Sequence, residues 1–285
     1  MNRPYLTKKR VAQFIQTALS EDIGNGDHSS LGSIPEGAER KAKLIIKDDG
    51  IIAGIQLTKL IFHNIAPDLE LNFFKKDGDR VANGEIGFEV AGNAHAILRL
   101  ERLVLNCLQR MSGIATYTHK INSLIKGTNA RLLDTRKTTP NFRIAEKWAV
   151  AIGGGSNHRF GLFDMVMLKD NHVDYAGGVE AAISNTQKYL ADHNLSLDIE
   201  IEVRNLDELA AVLKVGGVKR IMLDNMLPSD MRQAVTMIDG RYESEASGGI
   251  TEKNIKEIAE TGVNFISVGA LTHSYKSLDM SLKAF

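Results

Sequence analysis

The chain has 285 residues, 43% hydrophobic and 25% charged, which suits one large domain or two modest ones with real cores. Lys+Arg and Asp+Glu each number 35, so no overall field draws the protein to nucleic acid or a membrane surface, and any anion site needs a local cluster of bases. One cysteine, Cys107, excludes an internal disulfide framework and a cysteine-based metal site.

Residues 1–20 carry no long apolar run of the signal-peptide kind, and no stretch suits a bilayer span. A cytoplasmic enzyme or binding protein is expected. Val11, Phe14, Ile15, Ala18 and Leu19 recur at helical spacing and predict a first, half-buried helix. A turn-rich segment follows at 21–27, and residues 42–46, 51–55, 69–74 and 87–90 read as short strands, with Asp77-Gly78-Asp79 as a turn. Residues 96–111 predict a strong helix with Leu100, Leu103, Val104, Cys107, Leu108 and Met111 on its apolar face, which makes Cys107 a core thiol. Arg102, Asn106 and Gln109 form a polar stripe on another face. Ser112-Gly113 should interrupt this helix before a second one carrying Tyr117, Ile121, Leu124 and Ile125. The expected domains are 1–112, a small helix-plus-sheet unit, and 113–285, with a C-terminal helix packing back on the first.

From Ala130 the pattern becomes short apolar runs alternating with amphipathic helices, as in parallel βα units. The runs are 131–133, 165–168, 199–203, 221–223, 242–246 and 265–268. Leu206, Leu209, Ala210 and Leu213 mark a helix closed by Gly216-Gly217. Pro228-Ser229 opens another, and Thr251 should cap one ending at Gly262. Six such units are fewer than the eight of a complete barrel, so an open, incomplete (β/α) barrel is expected, with a doubly wound sheet as its rival.

A barrel carries its chemistry at the C-terminal strand ends. Arg136 and Lys137 follow the first run, His158 and Arg159 follow the Gly153–Gly155 turn, and Lys169 follows the second run. Guanidinium binds carboxylate through a planar fork and ammonium adds a point charge. Charge-assisted hydrogen bonds contribute roughly 1.5–3 kcal/mol each, so this cluster suits a small dianion. The plainer alternative is a ring of solvated bases in surface ion pairs. The next ends offer Glu202 and Asp224, then Ser247-Gly248-Gly249 and Gly269-Ala270. Glycine lets backbone N–H groups approach a phosphate, and two acids beside it suit magnesium, directly or through water, and ribose hydroxyls.

Residues 101–116 (ERLVLNCLQRMSGIAT), 134–140 (DTRKTTP), 153–159 (GGGSNHR), 169–172 (KDNH), 200–203 (EIEV), 223–225 (LDN), 247–249 (SGG) and 267–273 (SVGALTH) together resemble the quinolinate phosphoribosyltransferase family, in its order and spacing. The resemblance runs from about Glu21 to the C-terminus. It implies an N-terminal α/β sandwich plus an open α/β barrel, and a reaction joining quinolinate to phosphoribosyl pyrophosphate with loss of carbon dioxide in NAD biosynthesis. It further implies that Arg136, Lys137, His158, Arg159 and Lys169 bind quinolinate. Arg102 would reach the same pocket from a partner subunit, in a homodimer at least, with a hexamer starting from the same pairing. Glu202 and Asp224 become the ribose and magnesium-side acids, so Lys137, Lys169, Glu202 and Asp224 are the catalytic candidates. Ser247, Gly248 and Gly249 with Val268, Gly269 and Ala270 become the 5′-phosphate loops, assisted by His273. Two positions depart from the family pattern: Asn141 where glycine is common, and Ala151 where a base is frequent. The segment 26–30 is a loose match and carries no catalytic role.

Three other readings compete. A related phosphoribosyltransferase would act on nicotinate or another small acid. A Schiff-base lyase would use Lys169 or Lys137. A carrier module is suggested by residues 77–84 (DGDRVANG), which resemble a lipoyl or biotinyl hairpin but offer no lysine at its tip.

Overall fold

The computed structural model describes residues 4–285. The chain opens with α1 (Lys8–Ile23), α2 (His28–Ser33), β1 (Glu39–Ile46), β2 (Gly50–Ile51), α3 (Ile55–Ile65), β3 (Glu70–Phe73), β4 (Arg80–Val81) and β5 (Ile86–Asn93). It continues through α4 (Ala94–Leu124), β6 (Arg131–Leu133), α5 (Arg143–Ile152), β7 (Val166–Leu168), α6 (Asp170–Ala176) and α7 (Val179–Asp192). The last elements are β8 (Ile199–Val203), α8 (Leu206–Val215), β9 (Arg220–Asp224), α9 (Pro228–Ile238), β10 (Glu243–Ser247), α10 (Ile255–Ala259), β11 (Phe265–Ser267), α11 (Ala270–His273) and β12 (Met280–Ala284).

Two compact units result, and they are not consecutive in sequence. The first comprises residues up to His119, Lys137–Gly154 and Ala270–Phe285; the second comprises Lys120–Arg136 and Gly155–Gly269. The boundary expected after residue 112 lies within α4, which continues to Leu124. The expected C-terminal helix is the strand β12, which pairs antiparallel with β1 through Leu44 opposite Leu282.

In the first unit an antiparallel sheet of order β12-β1-β5-β3 carries alternating apolar positions, and Leu44, Ile46, Phe88 and Val90 are buried. Phe62 of α3 meets Phe88 edge to face at 6.0 Å between centroids. Helix α3 occupies part of the stretch expected as the 51–55 strand. Its first N–H groups, on Gly54, Ile55 and Gln56, donate to the Asp77 carboxylate at 2.7–3.1 Å, a cap supplied from another loop. That contact also accounts for the carrier-like 77–84 hairpin as a structural turn. Asp27, in the loosely matching 26–30 segment, caps α2 by accepting from Ser30 N–H at 3.1 Å.

The predicted break at Ser112-Gly113 does not occur. Ser112 Oγ accepts from Ala53 N–H at 2.9 Å and donates to Ala53 carbonyl at 3.2 Å, and both small residues let backbone approach the helix. A Cβ at Gly113 would collide with the Lys276 carbonyl. Close packing, not a turn, explains these residues, and α4 runs 31 residues.

The second unit is a six-stranded parallel sheet of order β6-β11-β10-β9-β8-β7. Five of the six neighbour pairs needed to close a ring in sequence order are present, and only β6–β7 is missing. This is an open barrel, not a doubly wound sheet. Segment 153–159 runs beside β6, with Ser156 N–H donating to the Leu132 carbonyl at 2.8 Å, and Leu133 bridges Ser156. Pro228 stands at the start of α9 and Gly216 ends α8, as the sequence indicates. The Thr251 cap is displaced: α10 begins at Ile255 behind Asn254, whose side chain accepts from Thr251 N–H at 2.7 Å.

Candidate active site

The open barrel sets the functional groups around one mouth in a fixed order. Arg136 follows β6, Arg159 closes the segment beside β6, and Lys169 follows β7. Glu202 lies near the end of β8, Asp224 ends β9, Ser247-Gly248-Gly249 follow from β10, and Val268-Gly269 follow β11, the other neighbour of β6. Bases therefore occupy one arc, acids the next, and glycine turns the third.

Strand periodicity decides which side chains enter the barrel. Residues alternate faces, so Glu200 and Glu202 of β8 share one face while Ile199, Ile201 and Val203 share the other. Arg220, Met222 and Asp224 of β9 and Glu243, Glu245 and Ser247 of β10 repeat the pattern, and the parallel register sets Glu200 beside Arg220 and Ser247 beside Asp224.

On the basic arc, Arg159 is half-buried; burial and the neighbouring positive charge of Arg136 hold its guanidinium below the ordinary arginine value. Positive charge thus accumulates on this arc, which favours an anion there. Arg159 donates to the Met165 carbonyl at 3.2 Å. Asp164 accepts from Phe160 and Gly161 N–H at 2.6 and 2.8 Å and closes the loop that follows. Lys169 precedes α6, its N–H donating to His172 Nδ1 at 2.9 Å, and its Nζ lies 3.6 Å from Glu202 Oε2.

On the acidic arc, burial and then the charge of Asp224 raise the Glu202 carboxyl above the usual carboxylate range. Asn225, in left-handed conformation at φ 53°, donates to Asp224 Oδ2 at 2.7 Å. Gly248 and Gly249 have φ of 90° and 60°, and a Cβ on Gly248 would run into the Asn225 amide. Glycine here lets the turn approach the Asn225 amide.

His158 departs from the expected picture. It is 8% exposed, its Nδ1 accepts the Arg159 N–H at 2.7 Å, and its Nε2 lies 2.7 Å from Glu200 and 3.5 Å from Glu245. The ring is turned into the barrel interior rather than presented as an open ligand. Asp134 holds the same segment, accepting from His158 N–H at 2.9 Å and from Asn157 Nδ2 at 2.6 Å. Asp134, Glu200, Glu245 and Arg220 were not singled out for these roles from the sequence. The alternation of acids with β-branched residues in Ile199-Glu200-Ile201-Glu202-Val203 was the available signal for Glu200.

Arg102, Lys137, Ala270 and His273 belong to the first unit. Arg102 is exposed on α4. Lys137 is exposed, and its carbonyl accepts from Thr272 Oγ1 at 2.8 Å, tying the DTRKTTP segment to α11. His273 Nδ1 lies 2.7 Å from Ser274 Oγ. The same segment is anchored by Glu146, fully buried, which accepts from Thr139 N–H at 3.0 Å and from Arg110 Nε at 3.0 Å. Asn141 has φ 63°, which explains why glycine is common there; Asn tolerates that conformation better than most residues.

An open parallel barrel with bases, acids and glycine turns in succession defines a protein that handles a small organic anion together with a sugar phosphate. Residues 20–112 match the family described as "Quinolinate phosphoribosyl transferase, N-terminal domain", and residues 114–283 match its C-terminal domain. The chain is 46% identical to the chloroplastic nicotinate-nucleotide pyrophosphorylase [carboxylating] of Arabidopsis thaliana, over 94% of this chain and 81% of that protein. It is 40% identical to the probable nicotinate-nucleotide pyrophosphorylase [carboxylating] of Bacillus subtilis, over 92% of this chain and 89% of that one. Among solved structures, NadC from Streptococcus pyogenes superimposes with a TM-score of 0.90 at 36% identity, covering 98% of this chain and 99% of that chain. The chain belongs to the quinolinate phosphoribosyltransferase family.

Proposed function

We propose that this chain transfers the phosphoribosyl group of phosphoribosyl pyrophosphate to quinolinate, releasing pyrophosphate and carbon dioxide and giving nicotinate mononucleotide for NAD biosynthesis. Beside the family membership, one observation carries the reading: Lys169 Nζ lies 3.6 Å from Glu202 at the ends of neighbouring strands, with Asp224 ending the next strand.

In this reading Arg136, Arg159, Lys169 and Lys137 grip the two carboxylates, with His158 forming the floor beneath them. The ring nitrogen attacks the anomeric carbon as pyrophosphate leaves, and positive charge develops on the ribose. Glu202 and Asp224 stabilise that charge. The product pyridinium is an electron sink, so the adjacent carboxylate departs as carbon dioxide, leaving its bonding pair on the ring carbon, which takes up a proton. Bases that gripped that carboxylate firmly would stabilise the ground state, so the tight fork belongs on the other one. The Ser247–Gly249 and Val268–Ala270 segments, with His273, take the 5′-phosphate.

Glu202 and Asp224 suit magnesium, directly or through water, because the charge of Asp224 disfavours that of Glu202 and a divalent cation relieves that repulsion. Magnesium, when bound with phosphoribosyl pyrophosphate, neutralises the leaving group. Chelation should abolish turnover, and added magnesium should restore it. Arg102 completes the pocket of a partner subunit, which makes the working form a homodimer or a hexamer of such pairs. Cys107, buried with its thiol pushed up to about 12, is inert and fits a cytoplasmic setting. The Arabidopsis relative carries a chloroplastic name. No helix among the described residues is long and apolar enough to cross a membrane.

The test is release of labelled carbon dioxide from carboxyl-labelled quinolinate with phosphoribosyl pyrophosphate. Turnover of nicotinate without such release would replace this reading by the nicotinate one, and borohydride trapping of a substrate adduct would favour a lyase.

A further inference from the structure

Beneath the mouth lies a second charged layer that the transfer chemistry does not use. Glu200 and Glu245 are 0% exposed, and their carboxylates flank His158 Nε2 at 2.7 and 3.5 Å. Arg220 NH1 lies 3.1 Å from Glu245 Oε2, and its Nε is 3.1 Å from Glu243. The Arg220 guanidinium stacks 4.1 Å from the centre of the Phe265 ring.

We propose that Glu200 and Glu245 are positioning residues for the diacid pocket: they bracket the Nε2 edge of His158 from inside the barrel and so fix the 158–159 backbone that aims the Arg159 guanidinium. The inference rests on the reading of that pocket as the quinolinate site.

The chain of contacts is short. Nδ1 of His158 accepts the Arg159 N–H, so the ring proton resides on Nε2, the atom facing the two acids. Glu200 reaches that edge from β8 and Glu245 from β10, and Arg220 sets its positive charge 3.1 Å from Glu245. Both acids are fully buried, so nothing from solvent takes their place against the ring.

Kinetics of the full-length enzyme test this. Glu200→Ala should raise the quinolinate KM about tenfold and leave the phosphoribosyl pyrophosphate KM within about twofold, and Glu200→Gln should recover most of the loss. Equal changes in both KM values, or an alanine effect that glutamine does not rescue, would overturn the proposal. If Glu200→Ala does not fold, Glu200→Asp, which withdraws the carboxylate from Nε2 by one methylene, decides by the same split: an unchanged quinolinate KM or an equal rise in both KM values overturns it. A native enzyme inactive on quinolinate would sink the functional reading instead, before any variant is made.

Discussion

Glu202 and Glu200 stand two residues apart on one strand and face the same way, yet the barrel gives them different work. Glu202 lies at the mouth beside Lys169 and Asp224; Glu200 lies one layer deeper, sealed among His158, Glu245 and Arg220. Burial raises both carboxyls. At the mouth the raised carboxyl is relieved by whatever cationic group arrives, so it can answer charge that develops during reaction. In the interior burial outweighs the opposing charge of Arg220, and the acid holds its proton up to a pH of about 7. Depth along a strand, more than residue type, sorts catalysis from support.

Variants at the mouth should have the largest effects. Glu202→Gln should lower kcat by roughly a hundred- to a thousandfold with little change in quinolinate KM, as expected for lost transition-state charge stabilisation. An unchanged rate constant would remove Glu202 from the chemistry and break the contrast. Arg159→Ala should raise the quinolinate KM on the order of 100-fold, since a fork of charge-assisted bonds is lost, with the phosphoribosyl pyrophosphate KM nearly constant. The reverse pattern in steady-state kinetics would exchange the basic and acidic arcs.

Gly248→Ala forces a β-carbon into the Asn225 amide from a backbone at φ 90°, and should raise the phosphoribosyl pyrophosphate KM by about tenfold. Mixing equal amounts of Arg102→Ala and Glu202→Gln chains should restore roughly a quarter of native activity overall, because about half of the dimers are hybrids and one of the two sites in each draws on intact residues from both. No recovery after subunit exchange would confine Arg102 to its own chain.

The smallest effect belongs to the interior. The Glu200 carboxyl lies at about 7 in the fold against an ordinary 4.5, so its contribution to stability is full below pH 4.5 and is lost as pH rises through about 7. Glu200→Gln cannot ionise. Its melting temperature should fall less than the native one over that interval, by roughly 3 °C. Identical pH dependence in both proteins would show that Glu200 is charged throughout, and would erase the distinction from Glu202.

The alternation of short apolar runs with amphipathic helices was enough to specify six parallel βα units, and polar residues after each run were enough to mark the mouth. Local signals suffice for these because strand period, helix period and turn chemistry act over a few neighbouring residues. The motif series fixed the family for the same reason: its members lie close together in the chain. Other features depended on contacts distant in sequence. Ser112-Gly113 reads as a break, and only the backbone of Ala53 and Lys276 against it shows why the helix continues. The 51–55 run reads as one strand, but the strand keeps only Ile51, and Asp77 reaches from another loop to cap a helix that opens at Ile55. Residues 137–154 and 270–285 join the first unit although they lie within or beyond the barrel sequence, because compactness follows contacts and not chain order. His158 reads as one more exposed base. Its inward turn was decided by Glu200 and Glu245, 42 and 87 positions further along, whose depth in the barrel comes from the register of three parallel strands.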